Sequence, residues 1–168
     1  NALLYNHRCR RFSRLDGLTM LLNRTQYEKD LERIKPPAVI INMDVDDFKQ
    51  INDTSVHAAG DYYLRQIAEV IRTVYGRHGD CYRYGGDEFS LILTKNLHQM
   101  EKLNGMFETA LGQLREQDPQ MPMVSLGYAL YEGGIEALYA TIEKADAMMY
   151  RNKKVNDRAE IVEIAAEI

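Results

Sequence analysis

Apolar residues recur along this chain with two different periods, and these periods predict its elements. Leu64, Ile67, Ala68, Ile71, Val74 and Tyr75 stand at i, i+3, i+4, i+7, i+10 and i+11, the buried stripe of one long helix. Met100, Leu103, Phe107, Leu111 and Leu114 mark a second amphipathic helix, closed by Asp118-Pro119. Leu138, Ile142, Ala145 and Met149 mark a last long one. Ala38 to Met43 is instead a nearly continuous apolar run, as expected of a strand buried on both faces. Cys81 to Tyr84 and Asp87 to Leu93 read as strands around Gly85-Gly86, a pair that allows the φ > 0 conformations of a two-residue hairpin loop. Met123 to Leu130 reads as a further strand. Near the start, Thr25 is expected to cap a helix over about 26–34, which Pro36-Pro37 stops. The order α, strand, α, hairpin, α, strand, α predicts an α/β (α+β) fold, with a sheet covered by helices on one or both faces.

The first residues follow a different pattern. Arg8, Arg10, Arg11 and Arg14 come with no acid, and Tyr5, Phe12 and Leu15 form a weak helical stripe. Residues 1–14 are expected to be the end of a signalling or linker helix arriving from upstream, broken by Asp16-Gly17-Leu18-Thr19. The chain opens at Asn1 without Met and reads as a piece of a longer protein. Residues 15–168 then form the domain proper, since 168 residues suit one domain rather than two.

Charge and cysteine content narrow the function. Lys plus Arg number 21 and Asp plus Glu 25, a net charge of −4, which argues against a duplex nucleic-acid partner. Cys9 and Cys81 form no metal-binding pair and fit a reducing cytosol. The apolar runs are too short to span a bilayer, and no signal peptide is visible. The expected location is the cytoplasm, including the cytoplasmic part of a membrane-anchored sensor, with no membrane contact by this segment.

Two groups of acids stand where apolar strands stop. One is Asp44-Val45-Asp46-Asp47, and the other is Asp87-Glu88 after Gly85-Gly86. On an extended chain Asp44 and Asp46 share a face at a spacing of ~6.5–7 Å. If the hairpin pairs beside the first strand, Asp44 and Asp87 converge. Crowded carboxylates repel unless a cation lies between them, and hard oxygens without His or Cys suit Mg²⁺. Taken alone, acids beside strand ends and glycines are more often solvated turn residues. Strand alternation would also send Asp87 and Glu88 to opposite faces, which leaves Asp87, nearer the tip, as the better candidate.

Arg83-Tyr84-Gly85-Gly86-Asp87-Glu88-Phe89 resembles the signature of GGDEF domains, the diguanylate cyclases. Asp16-Gly17-Leu18-Thr19-Met20-Leu21-Leu22-Asn23-Arg24 resembles the family's opening motif, and Asp44 through Asp53 its D-x-D-x-F-K-x-x-N-D. His57-Ala58-Ala59-Gly60-Asp61 follows at family spacing. Ala145-Asp146 through Tyr150 and Lys153 resemble the closing A-D-x-x-x-Y-x-x-K. The ordered motifs cover about residues 14 to 154.

The resemblance implies a palm-like central sheet similar to that of nucleotide cyclases. It implies condensation of two GTP into cyclic di-GMP with loss of two pyrophosphates. Asp44, Asp87, Glu88 and the Val45 carbonyl would hold Mg²⁺, two ions in all, with Mn²⁺ as an alternative. Asp87 would accept the 3′-hydroxyl proton, Glu88 would assist at the metal, and Lys49 would offset charge on the phosphates. Phe48, Asn52, His57 and Asp61 would line the nucleotide site, with Asn52 and Asp61 reading guanine, and Lys153 would reach the triphosphate. The implied partners are GTP, a second copy of the domain in a transient homodimer, and the upstream sensory region. The alternative is a module that binds GTP with little turnover.

Three positions depart from the family pattern. Val56 stands where glycine usually precedes His57, and Asp157 stands where an arginine usually contacts phosphate. Arg77-His78-Gly79-Asp80 carries the letters of the family's product-inhibition motif, but it stands one residue too close to Gly85. Arg77 and Asp80 are thus a candidate inhibitory site whose side chains the shift would re-aim.

Overall fold

The computed structural model describes residues 13–54 and 58–166, and its sheet is organised around one central strand. The expected helix over 1–14 lies outside the described residues except for Ser13 and Arg14, which form a turn. Strand β1 (Leu22–Asn23) precedes helix α1 (Arg24–Leu31), and β2 (Ala38–Val45) leads into α2 (Phe48–Thr54) and α3 (Ala58–Tyr75). Strands β3 (Gly79–Arg83) and β4 (Glu88–Leu93) form the hairpin. Then come α4 (Met100–Gln117), β5 (Val124–Tyr131) and α5 (Ile135–Ala166). The sheet order is β1-β3-β4-β2-β5. Strand β2 pairs antiparallel with both β4 and β5, so it has no free edge. That is why its apolar run is continuous: both faces are covered, and Ala38 through Met43 are all buried.

Of the two arrangements expected, helices on one or on both faces, the sheet has the second. Val39, Ile41, Met43 and Val45 share one face with Phe89, Leu91 and Leu93, packed with Leu64, Ile67 and Ile71 of α3 and Leu103, Phe107 and Leu111 of α4. On the other face Ala38, Tyr82, Ile92 and Tyr131 pack with Tyr27 of α1 and Leu138 of α5. Tyr27 and Tyr82 meet edge to face at 5.1 Å, and the Tyr82 hydroxyl donates to Asp30 at 2.7 Å. Helix α5 comes so close to β5 that a Cβ at Gly127 would collide with the Ala145 carbonyl and the Met149 amide. Among the described residues no helix is long and apolar enough to cross a membrane.

Three local features differ from the sequence expectation. The cap of α1 is Asn23, not Thr25: Asn23 is extended, and its Oδ1 accepts the Gln26 N–H at 2.9 Å. The hairpin loop runs from Tyr84 to Asp87, with the Tyr84 and Gly85 amides both donating to the Glu88 carbonyl. In this longer loop Gly85 and Gly86 do not take positive φ; among the described glycines, Gly133 and Gly134 do. The strand β1 has two residues, too few to leave a periodic signal.

Candidate active site

The end of β2 brings the two acidic groups together. Asp44 stands directly opposite Glu88 in the antiparallel register. The loop before Glu88 is tied to the same strand end, because the Val45 N–H donates to the Asp87 carbonyl at 3.0 Å. Asp87 belongs to the loop rather than to the strand, so alternation does not send it away, and both Asp87 and Glu88 face Asp44. Burial pushes the Asp87 carboxyl above its ordinary value, and the charge of Asp44, within hydrogen-bonding reach, adds to this. Glu88 is raised for the same reasons: burial first, then Asp44 and Asp87. Lys153 of α5 donates to Asp44 Oδ2 at 2.7 Å. Burial alone would lower the lysine's pKa, but its bond to Asp44 and the charges of Asp44, Asp46 and Asp87 raise it.

These residues fit a hard divalent cation. The donors are carboxylate oxygens, with the charge of Asp44 helping to raise both Asp87 and Glu88, and a cation already stands against Asp44. Among the described residues no three acidic, His or Cys side chains form a ready cage.

Asp46 does not join the group as the shared-face spacing suggests. It lies just past the strand and is buried. Ser125 Oγ lies 2.8 Å from both its oxygens, and Asn156 Nδ2 donates to Oδ2 at 3.0 Å. Burial raises Asp46, while the bonds from Asn156 and Ser125 and the charge of Lys153 oppose that rise.

The residues expected at the nucleotide lie on α2 and α3. Asp47, at φ 52°, turns the chain and accepts the Gln50 and Ile51 amides, which starts α2. Phe48 and Asn52 then pack against the first turn of α3. A Cβ at Gly60 would run into Asn52 Oδ1 and stand 3.0 Å from Phe48 Cζ, so glycine lets this turn seat beside them. Asp61 follows at once, exposed, in the first turn of α3, and Lys49 is exposed on α2. His57 and Val56 lie outside the described residues. Asp157 is half-buried one turn beyond Lys153, and Arg158 is exposed. Arg77 is exposed in the turn after α3. Asp80 lies on β3 opposite Ile92, raised by burial and then by Asp30, with Arg14 opposing.

The structure adds residues to which the motifs assigned no task. Arg83 Nη2 donates to the Gly86 carbonyl at 2.8 Å and Nε to the Gly85 carbonyl at 3.1 Å. Its other arm meets Asp16 at 3.2 Å, and Asp16 also accepts the Thr19 amide and hydroxyl. Asn42, two residues before Asp44, donates to Asp146 of α5 at 2.6 Å. The available signal was periodicity. Asn42 and Asp44 on β2 and Asp46 just past it stand at alternate positions, while Asp146, Lys153 and Asn156 share one stripe of α5.

Residues 13–158 match the family model described as diguanylate cyclase, GGDEF domain. The chain is 31% identical over 153 residues to the diguanylate cyclase DosC of Escherichia coli strain K12, covering 83% of this chain and 33% of that protein. It is 32% identical over 147 residues to the diguanylate cyclase DgcS of Shewanella oneidensis, covering 82% of this chain and 49% of that one. The chain thus spans between a third and a half of the length of these relatives. Among solved structures, the coiled coil and GGDEF domain of DgcB from Caulobacter crescentus, in complex with c-di-GMP, aligns with a TM-score of 0.77 at 27% identity. That alignment covers 91% of this chain and 87% of the other.

Proposed function

Because the chain belongs to the GGDEF-domain family of diguanylate cyclases, we propose that it condenses two GTP into cyclic di-GMP with release of two pyrophosphates. The observation that carries this reading is the meeting of Asp44, Asp87 and Glu88 beside Lys153 at one end of the sheet. In each half-reaction a 3′-oxygen attacks an α-phosphorus, its proton leaves, and the bond to the β-phosphate oxygen breaks. Asp87, on the loop beside Asp44, would take that proton. Mg²⁺, or Mn²⁺ in its place, held by Asp44, Asp87, Glu88 and the Val45 carbonyl, would supply positive charge to the phosphates. Lys49 and Lys153 bring further positive charge to bear on the triphosphate.

Asn52 and Asp61 read guanine, with Phe48 and His57 lining the site. An Asp carboxylate accepts from guanine N1–H and its amino group together, and adenine would leave it unpaired. One domain holds one GTP, so two copies face each other, each aiming a 3′-hydroxyl at the other's nucleotide. Residues 1–14 link this domain to an upstream input, and the reaction takes place in the cytoplasm. The one-residue shift at Arg77 and Asp80 argues against strong product inhibition there.

The test is incubation of the purified domain with GTP and Mg²⁺ across a range of protein concentrations. Cyclic di-GMP is expected, at a rate per domain that rises with concentration. No product at high concentration, or after forced dimerisation, overturns the reading. Asp157, half-buried on the Lys153 side of α5, favours a second reading, a GTP-binding module with little turnover. That reading predicts binding by calorimetry without product.

A further inference from the structure

We propose that Asp46 and Asn156 are positioning residues that hold Lys153 over the end of β2. The catalytic part of this inference rests on the reading above, but the geometric part does not. Asn42 and Asp44 at the end of β2 and Asp46 in the turn after it occupy alternate positions, and each bonds one residue of α5. Asn42 donates to Asp146 at 2.6 Å, Asp44 accepts from Lys153 at 2.7 Å, and Asp46 accepts from Asn156 at 3.0 Å. Lys153 is therefore the middle rung of three.

The last rung has a distinct character. Asp46 is 5% exposed, and Ser125 and Asn156 already engage its oxygens. Its carboxylate is turned toward β5 and α5 by these bonds. Asn156 Nδ2 also donates to Ser125 Oγ at 3.1 Å, which closes a triangle joining β5, α5 and the turn after β2. Ser125 and Asn156 of this triangle also line an open groove of about 300 Å³, together with Leu111, Arg115, Met123 and Val155. Because it lines this groove, Asn156 is held by its hydrogen bonds to Asp46 and Ser125 more than by packing. A buried carboxylate that loses a donor keeps its desolvation cost, so breaking this rung moves the helix or the turn. Either displacement takes Lys153 away from Asp44.

The experiment compares wild type, Asn156→Asp, and the exchanged pair Asp46→Asn with Asn156→Asp. Two readouts are taken: the Lys153 ammonium signal in ¹⁵N NMR of the nucleotide-free protein, and kcat and KM with GTP and Mg²⁺. Wild type is expected to show an ordered Lys153 signal. Asn156→Asp sets two carboxylates against each other. It should lose that signal and roughly tenfold or more of kcat, the scale of a small misplacement at a reacting centre. The exchanged pair restores a donor and an acceptor, and should recover the signal and most of kcat. The proposal is wrong if wild type shows no ordered signal or if Asn156→Asp keeps both properties. It is also wrong if the exchanged pair melts like wild type yet recovers neither. Should Asn156→Asp fail to fold, Asn156→Ala removes the donor without adding charge and is read the same way. A wild type that forms no cyclic di-GMP refutes the cyclase reading, and the NMR comparison still decides the positioning.

Discussion

Asp44 on β2 and Glu88 on β4 face each other directly across an antiparallel pair, two acids where cross-strand neighbours ordinarily attract. Asp87 stands beside them, and the group lies at the end of the best-buried strand of the sheet. A site of this kind is held together against its own charge.

The first prediction follows from that repulsion. Asp87 and Glu88 have folded pKa values raised above the ordinary carboxyl range. The folded state therefore binds their protons more tightly than the unfolded state does. Stability falls as pH rises from the ordinary value through the raised one, and it stays lower above that. Asp87→Asn or Glu88→Gln should raise the melting temperature at pH 7 in chelator by about 2–4 °C, roughly 1 kcal/mol after solvent screening. The gain should disappear below about pH 4. Thermal melts across pH check this, and Mg²⁺ should narrow the gap because it stabilises wild type more. Both variants should lose nearly all turnover.

Arg83 holds the loop that carries Asp87, through the carbonyls of Gly85 and Gly86 and through Asp16. Arg83→Ala should cost about 1–3 kcal/mol in urea unfolding and lower kcat more than it raises KM. Arg83→Lys should rescue little, because an ammonium cannot span the two carbonyls and the carboxylate at once. For Asp16, burial raises the pKa, but bonds from Thr19 and Arg83 outweigh it and leave it lowered. Its contribution is present above the ordinary carboxyl value and is lost as pH falls through the lowered one. Asp16→Asn should therefore destabilise at pH 7 and matter less in acid.

Two glycines should respond in opposite ways to the same substitution. At Gly127 a Cβ collides with the backbone of α5, so Gly127→Ala should destabilise by about 1–3 kcal/mol or more. Gly105 lies exposed within α4 with nothing within 4 Å of a built Cβ. Gly105→Ala should stabilise by about 0.8–1 kcal/mol through helix propensity. Chemical denaturation of the two variants side by side checks both signs.

Substrate choice and phosphate contact can be tested separately. Asp61→Ala should narrow the preference for GTP over ATP, by roughly tenfold or more in competition binding, if its carboxylate reads guanine. Asp157→Arg replaces an acid with a base one turn from Lys153 and should tighten GTP binding several-fold. An unchanged affinity would remove Asp157 from the triphosphate's surroundings.

Much of this architecture is legible in the sequence, because burial leaves periodic marks. The stripe from Leu64 to Tyr75 became α3, and the run from Ala38 became the doubly covered β2. The meeting of Asp44 with Asp87 followed from placing a hairpin beside that strand. What stayed hidden depends on atoms far apart in the chain. Asp46 looked like a second member of the acidic group, but a serine 79 residues away and an asparagine 110 residues away turn it aside. Thr25 and Asn23 are both sound caps, and the choice was made by Asn23 lying extended in β1. Gly85-Gly86 suggested a tighter loop than the one formed, because the carbonyl of Glu88 accepts two amides and lengthens the turn.

The three ties between β2 and α5 join two scales of unequal graduation. A strand advances ~6.6 Å for every second residue, whereas a helix advances 1.5 Å and turns about 100° for each one. Laid against each other they coincide at one setting, as the two rules of a vernier do. A helix slipped by a single residue would miss Asn42, Asp44 and Asp46 together rather than trade one partner for another. Insertions and deletions should therefore be tolerated between β5 and Ile135, where a loop can absorb them. Between Asp146 and Asn156 a single added or lost residue should abolish the alignment and the chemistry that depends on it.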